Sequence, residues 1–269
     1  MYLVKCNEMH IVFFVYLCSC GVYLSQGAPP EIMDRILHGR DSDIKYHPYQ
    51  VALVTTNGKH RKILCGGALI KPKIVFTAAH CTHVDENTVR PNLTVLIGAN
   101  SLFDPKGTSH EIHKVLKHPE FKFDMFDNDF SAVILKKPAV YSDRVQPIKI
   151  SEEDHPGGIK GVVSGWGLTE RGRPSVSLKS VKLVLEDWDK CQDHFPRPVH
   201  PKITKNHICI KPSEKTTTYG DSGSPLVVDG KLVGLVSFGR MVDSKRKATV
   251  FTRVKSYSDF VRDGVDKYF

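Results

Sequence analysis

Apolar residues in this chain fall in short runs with turn-forming residues between them. Gln50–Thr56, Gly67–Ile70, Ile74–Ala79, Leu93–Ala99, Phe130–Leu135 and Gly161–Ser164 are rich in Val, Ile and Leu, and Gly, Pro, Asn and Asp punctuate them. Runs of this kind predict β-strands. The clearest hairpin joins Leu226–Val228 to Leu232–Val236 through Asp229-Gly230, a pair suited to a turn with positive φ. A helical period stands out only near the end, at Tyr257, Phe260, Val261, Val265 and Phe269, with Ser256 or Ser258 as cap, which predicts a helix over about 256–267. Many short strands and one terminal helix predict an all-β fold of barrels or a sandwich. The strand-poor stretch from Pro138 to Pro156 reads as a link between two similar halves.

The first residues follow another pattern. Lys5 precedes an apolar run from Ile11 to Cys18 that continues weakly to Leu24, and Ser25 and Gly27 stand three and one before Ala28. This is the layout of a secretory signal peptide over residues 1–27, so the chain is expected to be extracellular. The run is shorter than the ~20 apolar residues a bilayer span needs, so no membrane anchor is expected. Its removal takes away Cys6, Cys18 and Cys20 and leaves Cys65, Cys81, Cys191 and Cys209. Four cysteines in a secreted chain read as two disulfides, with three connectivities open. No CxxC pair or His-rich tract points to a metal, and no cofactor is expected.

With 269 residues, 41% hydrophobic and 25% charged, the composition is globular and excludes wholesale disorder. Lys+Arg 38 against Asp+Glu 29 gives +9, an excess that fits polyanion binding but more often serves solubility alone; no nucleic-acid partner is inferred from it. Asn92-Leu93-Thr94 is the single glycosylation sequon.

The sharpest chemical signal is Gly220-Asp221-Ser222-Gly223-Ser224-Pro225. A serine between glycines sits on a tight turn with its hydroxyl exposed, but an alcohol is a poor nucleophile without an adjacent base. The chain must therefore also supply a His and a carboxylate to orient it. Thr77-Ala78-Ala79-His80-Cys81 follows a predicted strand, and Asp127-Asn128-Asp129-Phe130 opens another. Each piece alone has a bland reading as a turn or a structural residue. In the order His80, Asp129, Ser222 they fit one reading together.

From about Ile36 to Phe269 the chain resembles the chymotrypsin-like (trypsin-fold) serine endopeptidases. The likeness rests on Pro48 to Val51, Cys65 to Ile70, Thr77 to Cys81, Asn128-Asp129, Ser164-Gly165-Trp166-Gly167, Gly220 to Pro225, Ser237-Phe238-Gly239 and Thr252-Arg253-Val254. It implies two six-stranded antiparallel β-barrels, over about 36–140 and 157–252, with the active site between them. It implies Ser222 as nucleophile, His80 as general base and acid, Asp129 as its orienting carboxylate, and the amides of Gly220 and Ser222 as oxyanion hole. Ser237 and Gly239 would lend backbone groups to an extended substrate. The pairs Cys65–Cys81 and Cys191–Cys209 are implied in the same way. Thr218 stands where the family usually has a cysteine, and its partner is missing too; Ser224 stands where Gly is usual.

Arg35-Ile36-Leu37-His38-Gly39 resembles the family's activation site, which makes 28–35 a propeptide and 36–269 the peptidase. An activating protease would cut after Arg35, and the freed Ile36 amine would pair with Asp221. Counting back from Gly220 puts Thr216 at the floor of the primary pocket, and Thr249 would intrude on one wall. A neutral floor cannot offset the desolvation of a buried cation, so cleavage after small to medium apolar residues is expected rather than after Lys or Arg. Asp243 is the only acid in the loop Arg240–Ala248, and its reaching the pocket would restore basic specificity. Two basic clusters, Lys59 to Lys62 and Lys106 to His118, would offer a polyanion or acidic-substrate exosite. The second loop holds few acids, Asp104 and Glu111, for the family's optional calcium site. A competing class of reading is a catalytically silent homologue acting as a regulatory or glycan-binding protein; intact His80, Asp129 and Ser222 argue against it.

Overall fold

The computed structural model describes residues 39–169, 171–196, 201–265 and 268. The expected signal peptide and propeptide, with Arg35 and Ile36, lie outside the described residues. A short strand β1 (Arg40–Asp41) leads into a closed barrel of β2 (Gln50–Asn57), β3 (His60–Lys71), β4 (Ile74–Thr77), β5 (Leu93–Ile97), β6 (Thr108–Lys117) and β7 (Ser131–Leu135), ordered β2-β3-β4-β7-β6-β5. A second set, β8 (Lys160–Gly165), β9 (Lys179–Glu186), β10 (His207–Ser213), β11 (Pro225–Val228), β12 (Lys231–Met241) and β13 (Lys247–Arg253), runs β9-β10-β13-β12-β11-β8 and closes through β8–β9. All strand pairs are antiparallel, so the fold is the expected pair of six-stranded barrels. Asp229 (φ 48°) and Gly230 (φ 73°) form the β11–β12 turn with both φ values positive, as that dipeptide predicts.

Closure gives every barrel strand a partner on both sides over at least part of its length, and each barrel encloses its own apolar core. Val51, Leu69, Val75, Val95 and Val133 fill the first, and Val163, Leu183, Leu226, Val236 and Phe251 fill the second. A third cluster joins them: Phe76, Phe130 and Ile134 of the first barrel meet Leu232 and Leu235 of the second, and Val254, Tyr257 and Val265 cover them. This seam fixes the position of β7 against β12, and so of the residues at their mouths. The Cys65–Cys81 and Cys191–Cys209 disulfides both form.

The terminal helix starts earlier than its sequence period and is not one regular helix. It is a 3-10 turn (Val254–Tyr257), an α-turn (Ser258–Phe260) and a π-turn (Val261–Val265). Val254 and Tyr257 are both buried, and their spacing of three residues is met by the tighter 3-10 turn. Phe130 anchors this segment. Its ring stacks on Tyr257 at 4.8 Å and meets Phe76 edge-on at 4.9 Å. Phe130→Ala should therefore cost about 3–5 kcal/mol, read as a lowered denaturation midpoint with the m-value kept. A loss below 1 kcal/mol would show that this seam is not load-carrying.

Candidate active site

The first barrel delivers His80. Strand β4 ends at Thr77, the fully buried Ala78 and Ala79 allow close packing, and a one-turn helix α1 (Ala79–Thr82) carries the imidazole. Cys81 ties this turn to β3, and Arg90 caps its carbonyl end, Nε donating to Cys81 O at 3.2 Å and Nη2 to His83 O at 3.0 Å. Asp129 stands just before β7, where Asn128 takes a left-handed φ of 53° that Asn tolerates better than most residues. The Asp129 carboxylate is fully buried. It accepts hydrogen bonds from His80 Nδ1 at 2.8 Å, the His80 amide at 3.0 Å and Ser237 Oγ at 2.5 Å. Burial pushes this carboxyl up, but His80 and the bonds from Ser237 and the His80 amide outweigh it and hold it below the usual carboxylate range. An ionised carboxylate only accepts, so His80 Nδ1 carries the proton and neutral His80 keeps Nε2 as an acceptor.

The second barrel delivers Ser222. Gly220 takes φ 96° and Gly223 φ 75°. A Cβ on Gly223 would lie 2.2 Å from Thr77 Oγ1 and 2.6 Å from Gly66 O, so glycine is required there twice over. The amides of Asp221, Gly223 and Ser224 are spent on Thr218, Val236 and Asp221 carbonyls, whereas those of Gly220 and Ser222 donate to no group among the described residues. Ser224 has no positive φ, and its Oγ faces Gly66, at the position a Cβ there would need. That explains how serine replaces the family's usual glycine.

His80 and Ser222 line one cavity of about 690 Å³ with Thr217, Phe238, Gly239 and Lys247. Beyond Leu235 no strand among the described residues pairs with the edge of β12 that faces away from β13, which leaves Ser237 to Gly239 open on that side. A second cavity, about 610 Å³ and lined by Asp154, Trp188, Lys205 and Arg253, contains none of these groups. Cys65, His80 and Cys81 are the one cluster of metal-type ligand atoms among the described residues, and their sulfurs are bonded to each other, which leaves no thiolate. Asp104 is paired with Arg144 and Glu111 with Lys136.

Thr216 and Thr249 do not line the cavity. Both are buried, with their hydroxyls 2.9 Å apart. Asp243 stays at an exposed turn on Arg246 and does not reach the pocket. Two contributors escaped the sequence reading: the hydroxyl of Ser237 on Asp129, and Lys247. Strand alternation carried a signal for Lys247, which lies two residues before Thr249 and so on the same face of β13.

Asp221 is fully buried and accepts from the amides of Gly167 at 2.8 Å and Thr218 at 2.9 Å. Burial pushes its carboxyl up, with these bonds opposing, and it forms no ion pair among the described residues. Thr218 Oγ1 also donates to Leu168 O at 2.8 Å, which ties the segment before Asp221 to the one that follows β8.

The model of the Trypsin family matches residues 36–261. Trypsin V-B of Rattus norvegicus is 33% identical over 260 residues, covering 94% of this chain and 97% of the relative. Trypsin of Sus scrofa is 30% identical over 243 residues, 88% and 98% of the two chains. The solved structure of neuropsin, a serine protease expressed in the limbic system of mouse brain, superposes with a TM-score of 0.72 at 26% identity, covering 84% of this chain and 97% of that one. Two closed barrels, a Ser-containing glycine turn facing a His, and a family match over most of the length agree: the chain belongs to the trypsin family of serine proteases.

Proposed function

We propose that this chain is a secreted serine endopeptidase, made as a zymogen and activated by another protease that cleaves after Arg35. The observation that carries the catalytic reading is His80 held at Nδ1 by ionised Asp129, in the same cavity as Ser222. Ser222 Oγ attacks the peptide carbonyl while His80 Nε2 takes its proton. The two unspent amides, Gly220 and Ser222, meet the oxyanion. His80 returns the proton to the leaving amine, the acyl-enzyme remains, and water repeats the sequence to release the acid. Asp129 stays ionised and stabilises the imidazolium. The substrate lies extended along the free edge of β12 at Ser237 and Gly239.

Connectivity supports the activation step. Arg40 pairs with Ser180 and Ser180 with Ser164, so Arg40 stands two strand spacings, about 10 Å, from Ser164 near the end of β8, three residues before Gly167, whose amide donates to Asp221. Ile36 is four residues upstream, a reach of about 13 Å when extended. Asp221 is a buried carboxylate that an ammonium would keep ionised. With no carboxylate among the described residues that line the cavity, the scissile bond follows a small to medium side chain, apolar by the sequence reading, rather than Lys or Arg. Asn92 is exposed and open to glycosylation, and the exposed Lys59, Arg61 and Lys62 hairpin is the surface for an acidic partner. The second basic cluster is a poorer candidate, because Lys114 and Lys117 lie over the rings of Tyr268 and Phe121.

Casein hydrolysis tests the proposal. The uncleaved chain should be silent, cleavage after Arg35 should produce activity, and a serine-directed inhibitor should remove it. A cleaved chain that is inert, or active but resistant to the inhibitor, contradicts it.

A further inference from the structure

Lys247 of β13 enters the primary pocket; Arg90 and Arg240 also line the same cavity, and Arg240 is engaged by the carbonyl of His194. Gly239 lies opposite Thr249 on the neighbouring strand, and a Cβ on Gly239 would sit 2.8 Å from Lys247 Cε. The lysine stem therefore lies across the glycine wall. Its Nζ donates to Thr217 O on the other wall at 2.9 Å. The side chain spans the pocket from one wall to the other and replaces the Thr216–Thr249 pair as its lining.

An ammonium has three donors, and the carbonyl of Thr217 takes one. Among the described residues no carboxylate lies within ion-pair distance to take the others. Burial pulls the Lys247 pKa down and the field of Asp221 opposes it. The result is a half-buried cation with unspent donors, in the same cavity as Ser222 and His80. A lysine or arginine side chain entering there meets like charge, and an apolar one strips water from the ammonium with nothing in return. A carboxylate gains charge-assisted hydrogen bonds in a partly desolvated site.

We infer that Lys247 makes the primary pocket select acidic residues, so that the enzyme cleaves after Asp or Glu. This rests on the endopeptidase reading and keeps its expectation of small to medium size while replacing the apolar character. Hydrogen bonds to a charged group of this kind correspond to roughly ten- to hundredfold discrimination between a carboxylate and its neutral amide.

The test uses the chain cleaved after Arg35, with active sites counted by a fluorophosphonate that does not fill the pocket. Peptides carrying Asp, Asn, Glu, Gln, Leu or Lys before the scissile bond are compared by kcat/KM per labelled site. The wild type should prefer Asp over Asn and Glu over Gln by about tenfold or more. Lys247→Met should abolish that preference in favour of Leu, Lys247→Gln should abolish it with less gain for Leu, and Lys247→Glu should shift cleavage toward Lys. A wild-type preference for Leu that Lys247→Met leaves unchanged overturns the inference and leaves the endopeptidase reading standing. A wild type with no labelled Ser222 overturns that reading, and the inference falls with it.

Discussion

Replacing Ser222 with alanine is expected to lower kcat/KM by roughly 10⁶-fold, a loss typical of serine peptidase triads, without loss of stability. The local structure explains why the two readouts separate. The Ser222 side chain makes no hydrogen bond among the described residues, while its carbonyl accepts from Gly66 N at 2.8 Å whatever the side chain. Asp129→Asn should cost less, about 10⁴-fold, through a different physical route. Asp129 Oδ2 receives both His80 Nδ1–H and Ser237 Oγ–H. An amide nitrogen turned toward His80 would force the proton onto Nε2, where the base must be free. An amide oxygen turned toward His80 removes the charge that stabilises the imidazolium. Equal activity of Asp129→Asn and wild type would mean that His80 is not oriented by this carboxylate.

The second large effect concerns activation. Arg35→Gln should stay inert after treatment with a protease that activates the wild type, and Asp221→Asn should stay inert even when cleaved. Breaking a buried ion pair costs about 3–5 kcal/mol, which lowers the active population by on the order of 10²–10³-fold. The pH dependence has a defined sign. The Ile36 amine has a free pKa near ~8, and pairing with Asp221 raises it in the active form. Its contribution is fully present below the free value and is lost as pH rises through the raised one. Activity of the cleaved enzyme should therefore fall on the alkaline side. In the uncleaved chain burial raises the Asp221 carboxyl, so the precursor gains stability as pH falls through that raised value, and Asp221→Asn should remove this slope. A fully active, uncleaved Arg35→Gln protein contradicts the mechanism.

Much of the fold was legible because its inner strands are written as apolar runs. Gln50–Thr56, Ile74 onward and Phe130–Leu135 all become strands whose side chains are buried on both faces of the wall, between barrel core and seam. Strand β6 was not legible. Thr-Ser-His-Glu-Ile-His-Lys-Val-Leu-Lys reads as a basic loop, yet Ile112 and Val115 pack on the barrel core, Leu116 packs on the seam, and the rest is exposed or half-exposed. A barrel supplies its hydrogen-bond partners from neighbouring strands, so such a segment needs little apolar character of its own. The terminal helix was legible as an element and not in its pitch, because Val254–Tyr257 is set by the surface it covers.

The site divides in the same way. His80, Asp129 and Ser222 are each fixed by local neighbours that leave a mark in sequence: small residues before His80, Asn before Asp129, glycines about Ser222. The specificity pocket depends on which residues of two strands face each other across a gap. Counting back from Gly220 places Thr216 in the pocket and counting back from Thr252 places Thr249 there, but the fold pairs the two with each other and withdraws them from the cavity. Register between β12 and β13 brings Lys247 to the cavity instead, and its one mark in sequence is the two-residue alternation from Thr249.

Ser222 as the nucleophile of an activated enzyme is the claim on which the rest depends, and mapping a fluorophosphonate adduct tests it most directly. The chain cleaved after Arg35 should gain one adduct mass, located by peptide mapping on Ser222, and both the uncleaved chain and Ser222→Ala should gain none or label far more slowly. An adduct on another serine, or equal labelling of the Ser222→Ala protein, would contradict the account.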